Sequence, residues 1–371
     1  MNYLITILAI FVSIPQILFP MGFAAIKGGE KAFFEDWNAE QEYTADYAIN
    51  VEKDAGRDFK ILSLTDVQLE KWECYGERGK VQERTIDELI KKTDPDLIIM
   101  PGDNGYATSA YLRIIKVMDS YGIPWAPIMG NHDGTCCISE FWCALKLSQA
   151  KNCLFKFGPA DMGYGNYVIN ITENGKIIHT LFMMDTHCVS DDTEYGRING
   201  KGCYDNLWQS QLDWYRWAVN GTTGLAGKNV ESTVVIHIPL AEYKTAYEAA
   251  YDSENGCYRE EYVDTCWGEN LEGVCCPSEN NGFFDLCKEL GSTKNIICGH
   301  DHINNSSILW EGIRLTYALK CGPGGYWREY KNGGTLLTVN SEGNLSIENI
   351  YIPWETVGDG IDRSLSEKWE H

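Results

Sequence analysis

FKILSLTD, residues 59–66, is the first of three stretches that decide the fold, and the others are DLIIMPGD (96–103) and IPWAPIMGNHD (123–133). Each is a short apolar run that ends in polar side chains, as buried strands often do. The segments between them, VQERTIDELIKKTD and YLRIIKVMDSYG, have apolar residues at helical spacing. Alternating strands and helices predict a parallel sheet, and its carboxyl edge is expected to bring together Asp66, Asp103 and Asn131.

The second half of the chain has more antiparallel signals. The pair Asn174-Gly175 lies between two apolar runs and predicts a hairpin turn, and Glu342-Gly343 predicts a second hairpin. TVVIHIPL and NIICGHDH are typical of two more buried strands, each of which leads into histidine. QSQLDWYRWAVNG is expected to form a helix.

The length and composition predict one large globular domain with extra segments at both ends. The chain has 371 residues, of which 44% are hydrophobic, and we expect the domain at 56–350 with a Cys-rich insertion at 251–282. Residues 26–55 are expected to be a lead-in segment or an edge strand, and 351–371 a C-terminal tail. An uncharged apolar run predicts that residues 1–25 are a signal peptide or a membrane anchor. The remainder is therefore expected to be extracellular, either secreted or anchored at the outer face of the membrane.

Fourteen cysteines agree with an oxidising destination. Cys298 lies in an apolar run and is expected to be a buried free thiol. Two clusters predict loop regions held by disulfide bonds, namely Cys136, Cys137, Cys143 and Cys153, and then Cys257, Cys266, Cys275, Cys276 and Cys287.

The charge of the chain bears on the substrate. Its 53 acidic and 31 basic residues give a formal net charge of −22, which repels nucleic acids and anionic lipid surfaces. We therefore expect no nucleic acid partner, and contact with a membrane only through an N-terminal anchor. A small anionic substrate escapes this argument, because bound metal ions dominate the local field.

Five predicted strand ends carry metal-binding side chains: TDVQ at 65–68, GDNGY at 102–106, GNHD at 130–133, VVIH at 234–237 and GHDH at 299–302. One polar residue at a strand end is commonly structural, but five such ends at one edge indicate a site. Carboxylate and amide oxygens mixed with imidazole nitrogens suit Fe, Mn, Zn or Co better than Ca or Mg. Two such ions, divalent or of mixed valence, would share a carboxylate and hold a hydroxide that attacks phosphorus.

Together these motifs resemble the calcineurin-like metallophosphoesterases, whose pattern is Asp-x-His, Gly-Asp, Gly-Asn-His-Asp/Glu, a strand-end His and Gly-His-x-His. NNGFFDLCKELGSTKNIICGHDHINN followed by GPGGY resembles the purple-acid-phosphatase-like branch of fungi and plants. The resemblance implies an α/β fold, a four-layer α/β/β/α sandwich with two mixed sheets. It also implies a set of metal ligands in which Asp103 bridges the two ions: Asp66, Asp103, Asn131, His237, His300 and His302.

The resemblance implies catalytic roles for two neighbouring residues and shows one departure. His132 would stabilise the transition state or protonate the leaving oxygen, and Asp133 would orient it. Gln68 stands where many members have histidine and purple acid phosphatases have glycine. We expect Gln68 to be a further metal ligand, and Tyr106, at the position of the iron-binding tyrosinate of purple acid phosphatases, to be a packing aromatic. His187 is expected to be exposed or capped and is not included among the ligands.

The predicted function is therefore an exported, metal-dependent phosphoric ester hydrolase, either a phosphatase or a phosphodiesterase. It would cleave small mono- or diesters by attack of a metal-bound hydroxide. The alternative is a non-catalytic metal-binding or signalling protein that retained the fold. The presence of His132 beside six ligands favours catalysis, and the altered first motif keeps the alternative open.

Overall fold

The structure, a computed structural model, describes residues 29–69, 73–134, 139–188 and 204–358. The predicted signal peptide or anchor at 1–25 lies outside these ranges, as do residues 359–371 of the predicted tail. Among the residues described, no helix is both long enough and apolar enough to cross a membrane.

The strands along the described chain belong to two large sheets and one small hairpin. In chain order they are β1 (Ile49–Glu52), β2 (Phe59–Ser63), β3 (Leu97–Pro101), β4 (Trp125–Ile128), β5 (Tyr167–Glu173), β6 (Lys176–Met183), β7 (Ser232–Val235), β8 (Tyr251–Asp252), β9 (Cys257–Tyr258), β10 (Thr293–Cys298), β11 (Ser307–Trp310), β12 (Ile313–Tyr317), β13 (Gly333–Val339) and β14 (Leu345–Tyr351).

The five-stranded sheet has the strand order β14-β13-β2-β3-β4. Its strands β2, β3 and β4 come from the stretches at 59–66, 96–103 and 123–133. Strands β2, β3 and β4 run parallel, which confirms the prediction from their alternation with helices. Strand β13 pairs antiparallel with β2, and β14 pairs antiparallel with β13 through the predicted hairpin, so the sheet is mixed.

The seven-stranded sheet has the order β1-β5-β6-β7-β10-β12-β11 and is also mixed. Strands β5 and β6 form the hairpin predicted at Asn174-Gly175, where both residues have positive φ angles of 52° and 71°. This is the combination that a tight type I′ turn requires. Strands β6, β7 and β10 run parallel, so the chain segments that follow β7 and β10 lie at the same sheet edge.

Helices cover the outer faces of both sheets. They are α1 (Glu77–Thr93), α2 (Thr108–Ser120), α3 (Glu140–Ser148), α4 (Gln209–Ala226), α5 (Ala241–Ala250), α6 (Phe283–Leu290) and the short α7 (Trp354–Val357). Helices α1, α2 and α3 pack with the five-stranded sheet, and α4, α5 and α6 with the other sheet. The predicted four-layer α/β/β/α sandwich with two mixed sheets is confirmed.

Alternation along the central strands assigns their side chains to the two cores. In β6, Leu181 and Met183 pack in the core that lies between the sheets, whereas Phe182 packs under the helices. In β10, Ile297 faces the first core and Ile296 the second. Because both faces of these strands are buried, their sequences are continuous apolar runs.

The Cys-rich region at 251–282 corrects one prediction. It contains the β8–β9 hairpin. The cysteines of the second cluster, predicted to form disulfide bonds, are free thiols in the structure: Cys257, Cys266, Cys275 and Cys276 in this region, and Cys287 in α6. Cys143 and Cys153 of the first cluster are also free, while Cys136 and Cys137 lie outside the described residues. Cys298 is a buried free thiol as predicted. The clustering of cysteines gave a wrong prediction of disulfide bonds here, because free cysteines are also frequent in buried apolar cores.

Candidate metal centre

The predicted site residues converge where strands of both sheets end. Asp66 follows β2, Asp103 follows β3 and Asn131 follows β4, and the histidines come from the segments after β7 and β10. One carboxylate oxygen each from Asp66 and Asp103 and one ring nitrogen of His237 lie within 4.8 Å of one another. All seven predicted ligands are buried, so the site lies in the protein interior at this edge.

Backbone strain is concentrated at the same residues. Asp66, Gln68, Asp103 and His300 have positive φ angles of 53°, 41°, 52° and 79°. Non-glycine residues rarely adopt this left-handed region, which costs about 1 to 3 kcal/mol each and persists only where the surroundings enforce it. The strands therefore end in tight turns that aim these side chains at one point.

Asp103, Asn131 and His237 form one half of the site. The ring Nδ1 of His237 lies 2.8 Å from the carbonyl oxygen of Pro101, which assigns it the proton. Its Nε2 lies 3.0 Å from Oδ1 of Asn131 and 3.4 Å from Oδ1 of Asp103. Nitrogen and oxygen ligand atoms thus face one another, as they do around a cation.

Asp66 and His302 form the other half. Nδ1 of His302 lies 2.8 Å from the carbonyl oxygen of Tyr326, which leaves Nε2 facing Oδ1 of Asp66 at 3.5 Å. Oδ2 of Asp66 accepts a hydrogen bond of 2.8 Å from Oγ1 of Thr65, and the backbone amide of His300 donates to the same carboxylate at 3.1 Å. The carboxylate is thereby fixed in orientation.

Gln68 and Tyr106 occupy different places in this arrangement. The side-chain amide of Gln68 donates to Oδ2 of Asp103, and its Oε1 is buried without a hydrogen-bond partner. The ring of Tyr106 packs against the ring of His132, with 4.7 Å between centroids. Gln68 therefore lies among the predicted ligands, whereas Tyr106 packs beside them. A 180° rotation of the Gln68 side-chain amide would exchange its nitrogen and oxygen, so that Oε1 would face Asp103.

The buried charges test whether a metal fits here. Burial disfavours a charged ring at His237, but the carboxylates of Asp103 and Asp66 outweigh it and raise the pKa of His237 to about 10. A proton on His237 and a metal ion offer the same compensation to these carboxylates and compete for it. Burial and the charge of His237 lower the pKa of His300 to about 3, and its Nε2 is buried without a partner. A neutral imidazole whose ring nitrogen has a free lone pair can bind a metal ion directly, so the residues fit a metal site.

His132 and Asp133 differ in exposure and contacts. His132 is half-buried, and its backbone amide donates to Oδ1 of Asp103 at 2.9 Å. The Asp133 carboxylate is buried and accepts hydrogen bonds from the backbone amides of Asn104 (2.8 Å), Gly105 (3.2 Å) and Gly130 (2.8 Å). Burial and the charge of Asp103 raise the pKa of Asp133 to about 7. These contacts join the loops after β3 and β4, a role that the sequence did not predict. Orientation of His132 by Asp133 stays a prediction.

Three residues near the site make contacts that the sequence did not predict. His187, expected to be exposed or capped, is largely buried, stacks on Trp208 at 3.9 Å and bonds through Nε2 to Oε1 of Gln211. Lys320 is buried and donates to the backbone carbonyl of Asp66. The ring of Tyr326, from GPGGY, stacks on His302. Only the GPGGY motif offered a signal in the sequence, since the other contacts arise from distant segments.

Comparison with known proteins finds relatives that are named as phosphatases. A protein of Arabidopsis thaliana named probable inactive purple acid phosphatase 14 is 28% identical over 269 residues, 65% of this chain and 62% of that protein. The chain thus spans less than two thirds of this relative. Phosphatase DCR2 of Saccharomyces cerevisiae is 27% identical over 327 residues, 81% of this chain and 54% of that protein.

A solved structure shows the same fold. The dimetal phosphatase from Danio rerio superposes with a TM-score of 0.50 at 10% identity, covering 78% of this chain and 95% of that one. The model of the calcineurin-like phosphoesterase family matches residues 59–304, which is more than half of the chain and includes every strand end of the site. The chain belongs to the calcineurin-like phosphoesterase family.

Proposed function

We propose that this chain is an exported phosphoesterase with two metal ions, which hydrolyses small phosphate mono- or diesters. The observation that carries the proposal is the buried cluster of Asp66, Asp103 and His237 beside the unpartnered Nε2 of His300. Ionisable groups crowded away from water require a compensating charge. Two divalent or mixed-valence ions of the Fe, Mn, Zn or Co class would supply it.

The two ions would be held by overlapping sets of side chains. The first half of the site consists of Asp66, Gln68, Asp103 and His302. The second half consists of Asp103, Asn131, His237 and His300. Metal ions in such a site supply positive charge to the phosphoryl oxygens and a nucleophile at neutral pH. The carboxylate of Asp103 lies between the two sets, as a bridging ligand must.

His132 is the residue of this group that an entering substrate can reach. It is half-buried, whereas the seven predicted ligands are buried. Its backbone is fixed to Asp103, and its ring packs on Tyr106. A ring held in this way can donate a proton to the leaving oxygen or stabilise its negative charge. Asp133 supports this role by holding the loop that carries His132.

Small substrates suit the chain better than polymers. The formal net charge of −22 opposes the approach of nucleic acids and anionic lipid surfaces, since their charge acts over many ångströms. A small ester with one phosphate group experiences mainly the field of the metal ions. We therefore propose no nucleic acid partner.

A non-catalytic metal-binding or signalling protein is the second candidate. Two observations favour it: Gln68 replaces the usual histidine of the first motif, and three relatives from Arabidopsis thaliana carry names that call them probably inactive. His132 favours catalysis, because a protein that only binds metal has no need of it.

One experiment separates the two candidates. The metal content of the purified protein is counted, and hydrolysis of p-nitrophenyl phosphate and of its bis ester is measured with wild type and His132→Ala. We expect two ions per chain in both proteins and a rate in His132→Ala lower by a factor of about 100 or more, as for loss of a general acid. Equal rates would refute the mechanism, and absence of hydrolysis in wild type with metal bound would support the second candidate.

Export is a separate part of the proposal. It rests on the uncharged run at 3–23 and on the cysteine content, although the described cysteines of the Cys-rich region are free thiols. Expression with a C-terminal tag and N-terminal sequencing of the product test it. Cleavage near residue 25 indicates a signal peptide, an intact N-terminus in the membrane fraction indicates an anchor, and an intact N-terminus in the cytosol refutes export.

A further inference from the structure

The Cys-rich insertion docks on the loop that carries His300 and His302. The side-chain oxygen of Asn304 accepts hydrogen bonds from the backbone amides of Leu271 (2.9 Å) and Glu272 (3.1 Å). Oδ2 of Asp301 accepts from the backbone amide of Cys275 at 3.1 Å. The backbone amide of Glu269 likewise donates to Oδ1 of Asn305 at 3.0 Å. Four backbone amides of the insertion thus bond to side chains of GHDHINN, so the two segments are fixed relative to each other.

Glu272 extends this contact towards the metal centre. Its Oε1 accepts a hydrogen bond of 2.9 Å from the backbone amide of Ile303, which directly follows His302. Its Oε2 accepts a hydrogen bond of 2.8 Å from the hydroxyl of Tyr326. One carboxylate therefore joins the histidine loop to the GPGGY loop, although neither neighbours it in the sequence.

Tyr326 makes two contacts with His302. Its ring lies nearly parallel to the imidazole, with 4.0 Å between centroids and 21° between planes. Its backbone carbonyl lies 2.8 Å from Nδ1 of His302. The carbonyl selects the tautomer in which Nε2 has the lone pair, and the ring fixes the plane in which Nε2 points towards Asp66.

Gly325 brings the same loop against Gln68. It has a φ angle of 62°, and a Cβ placed on it would lie 2.5 Å from Oε1 of Gln68 and 3.0 Å from Cε1 of His302. The loop thus touches both side chains that distinguish the first half of the site. Any shift of Tyr326 also moves the backbone that confines Gln68 and His302.

We propose that Glu272 is a positioning residue, which holds His302 through Tyr326 and thereby sets the affinity of the first half of the site for its metal ion. This inference rests on the proposed two-ion site. Without the Glu272 carboxylate, the Tyr326 hydroxyl loses its acceptor, and both the ring and the carbonyl are released from their place on His302. The hydrogen bonds and the ring stacking described above connect this pair to His302 of the first half, so the ion of the second half should be retained.

The test measures metal affinity in the full chain. Metal-free wild type, Glu272→Ala and Tyr326→Phe are titrated with Mn²⁺ by calorimetry, and Glu261→Ala, at an exposed glutamate of the same insertion, is the matched control. We expect two binding events in wild type and in the control. In both variants one event should weaken by a factor of about 10, as for loss of a partner of a metal-binding histidine, and the other should stay the same. The double variant should bind Mn²⁺ as tightly as either single variant does, because both substitutions remove the same hydrogen bond.

The inference fails if both events keep their affinity, or if both weaken equally and the unfolding midpoint falls, since that result indicates a purely structural role. A wild type that binds fewer than two ions refutes the two-ion site itself. The inference is then decided in the metal-free protein by ¹⁵N spectra of the His302 ring. A single Nδ1-protonated tautomer in wild type and a mixture in both variants supports it, and identical spectra overturn it.

Discussion

Replacing Gly102 by alanine should damage the metal centre through His237. Gly102 precedes Asp103 and has a φ angle of 86°, and a Cβ placed on it would lie 2.6 Å from Nδ1 and 2.7 Å from Cγ of His237. That Nδ1 lies 2.8 Å from the carbonyl oxygen of Pro101, its orienting partner. Because the ring is buried, it cannot swing into solvent and must shift off this hydrogen bond.

The size of the effect follows from two separate costs. An alanine in the left-handed region costs about 1 to 2 kcal/mol. Forcing a methyl group into an occupied space costs about 1 to 3 kcal/mol more. Gly122 is the matched control, because its φ angle is 70° and a Cβ on it would meet nothing within 4 Å. Gly122→Ala should therefore show the first cost alone, and the two variants should differ by about 1 to 3 kcal/mol.

The assay is urea unfolding of wild type, Gly102→Ala and Gly122→Ala in a chelator, followed by titration of each with Mn²⁺. Gly102→Ala should lose more unfolding free energy than the control and should bind metal more weakly, because Nε2 of His237 moves with its ring. The control should bind metal as wild type does. Equal losses of stability in the two variants, or wild-type metal affinity in Gly102→Ala, would refute the collision with His237.

Three further predictions concern other parts of the molecule. Burial lowers the pKa of His179 from 6.5 to about 4, so the unfolded chain takes up a proton first as the pH falls. The free energy of unfolding should therefore fall by up to about 3 kcal/mol as the pH is lowered from 6.5 to 4, and His179→Gln should remove this part of the pH dependence. His237→Gln should lower the metal count, whereas His179→Gln, at an equally buried histidine outside the site, should not. Eleven described cysteines are free, so the unreduced, denatured protein should react with at least eleven equivalents of a thiol reagent, and fewer would restore the disulfide prediction.

The parts of the fold that the sequence predicted are those encoded locally. The parallel strands β2, β3 and β4 follow from apolar runs alternating with helices, and the hairpin at Asn174-Gly175 follows from a turn that needs two positive φ angles. The convergence of Asp66, Asp103 and Asn131 follows from topology, because parallel strands of one sheet end at one edge. The histidines follow β7 and β10 of the other sheet, so their approach to these three residues depends on how the two sheets pack.

The contacts that the sequence could not predict join distant segments. His187 is buried because Trp208 and Gln211 close over it, and neither residue belongs to a motif that includes His187. Glu272 and Tyr326 are 54 residues apart and meet only because the insertion docks on the histidine loop. The disulfide prediction failed for a different reason. A cysteine buried in an apolar core and a cysteine in a disulfide bond cannot be distinguished from the sequence alone.

The two halves of the site differ in how they are held, and this bears on whether the chain still binds metal. In the second half, His237 is oriented by the carbonyl of Pro101, two residues before Asp103, so the strand ends alone are enough. The first half, where Gln68 departs from the family pattern, depends on Tyr326 and Glu272 from elsewhere in the chain. Four site residues also remain in the left-handed region, at a cost of about 1 to 3 kcal/mol each. A fold that served only as a scaffold would gain stability by relaxing these turns, so the strain favours a site that still binds metal.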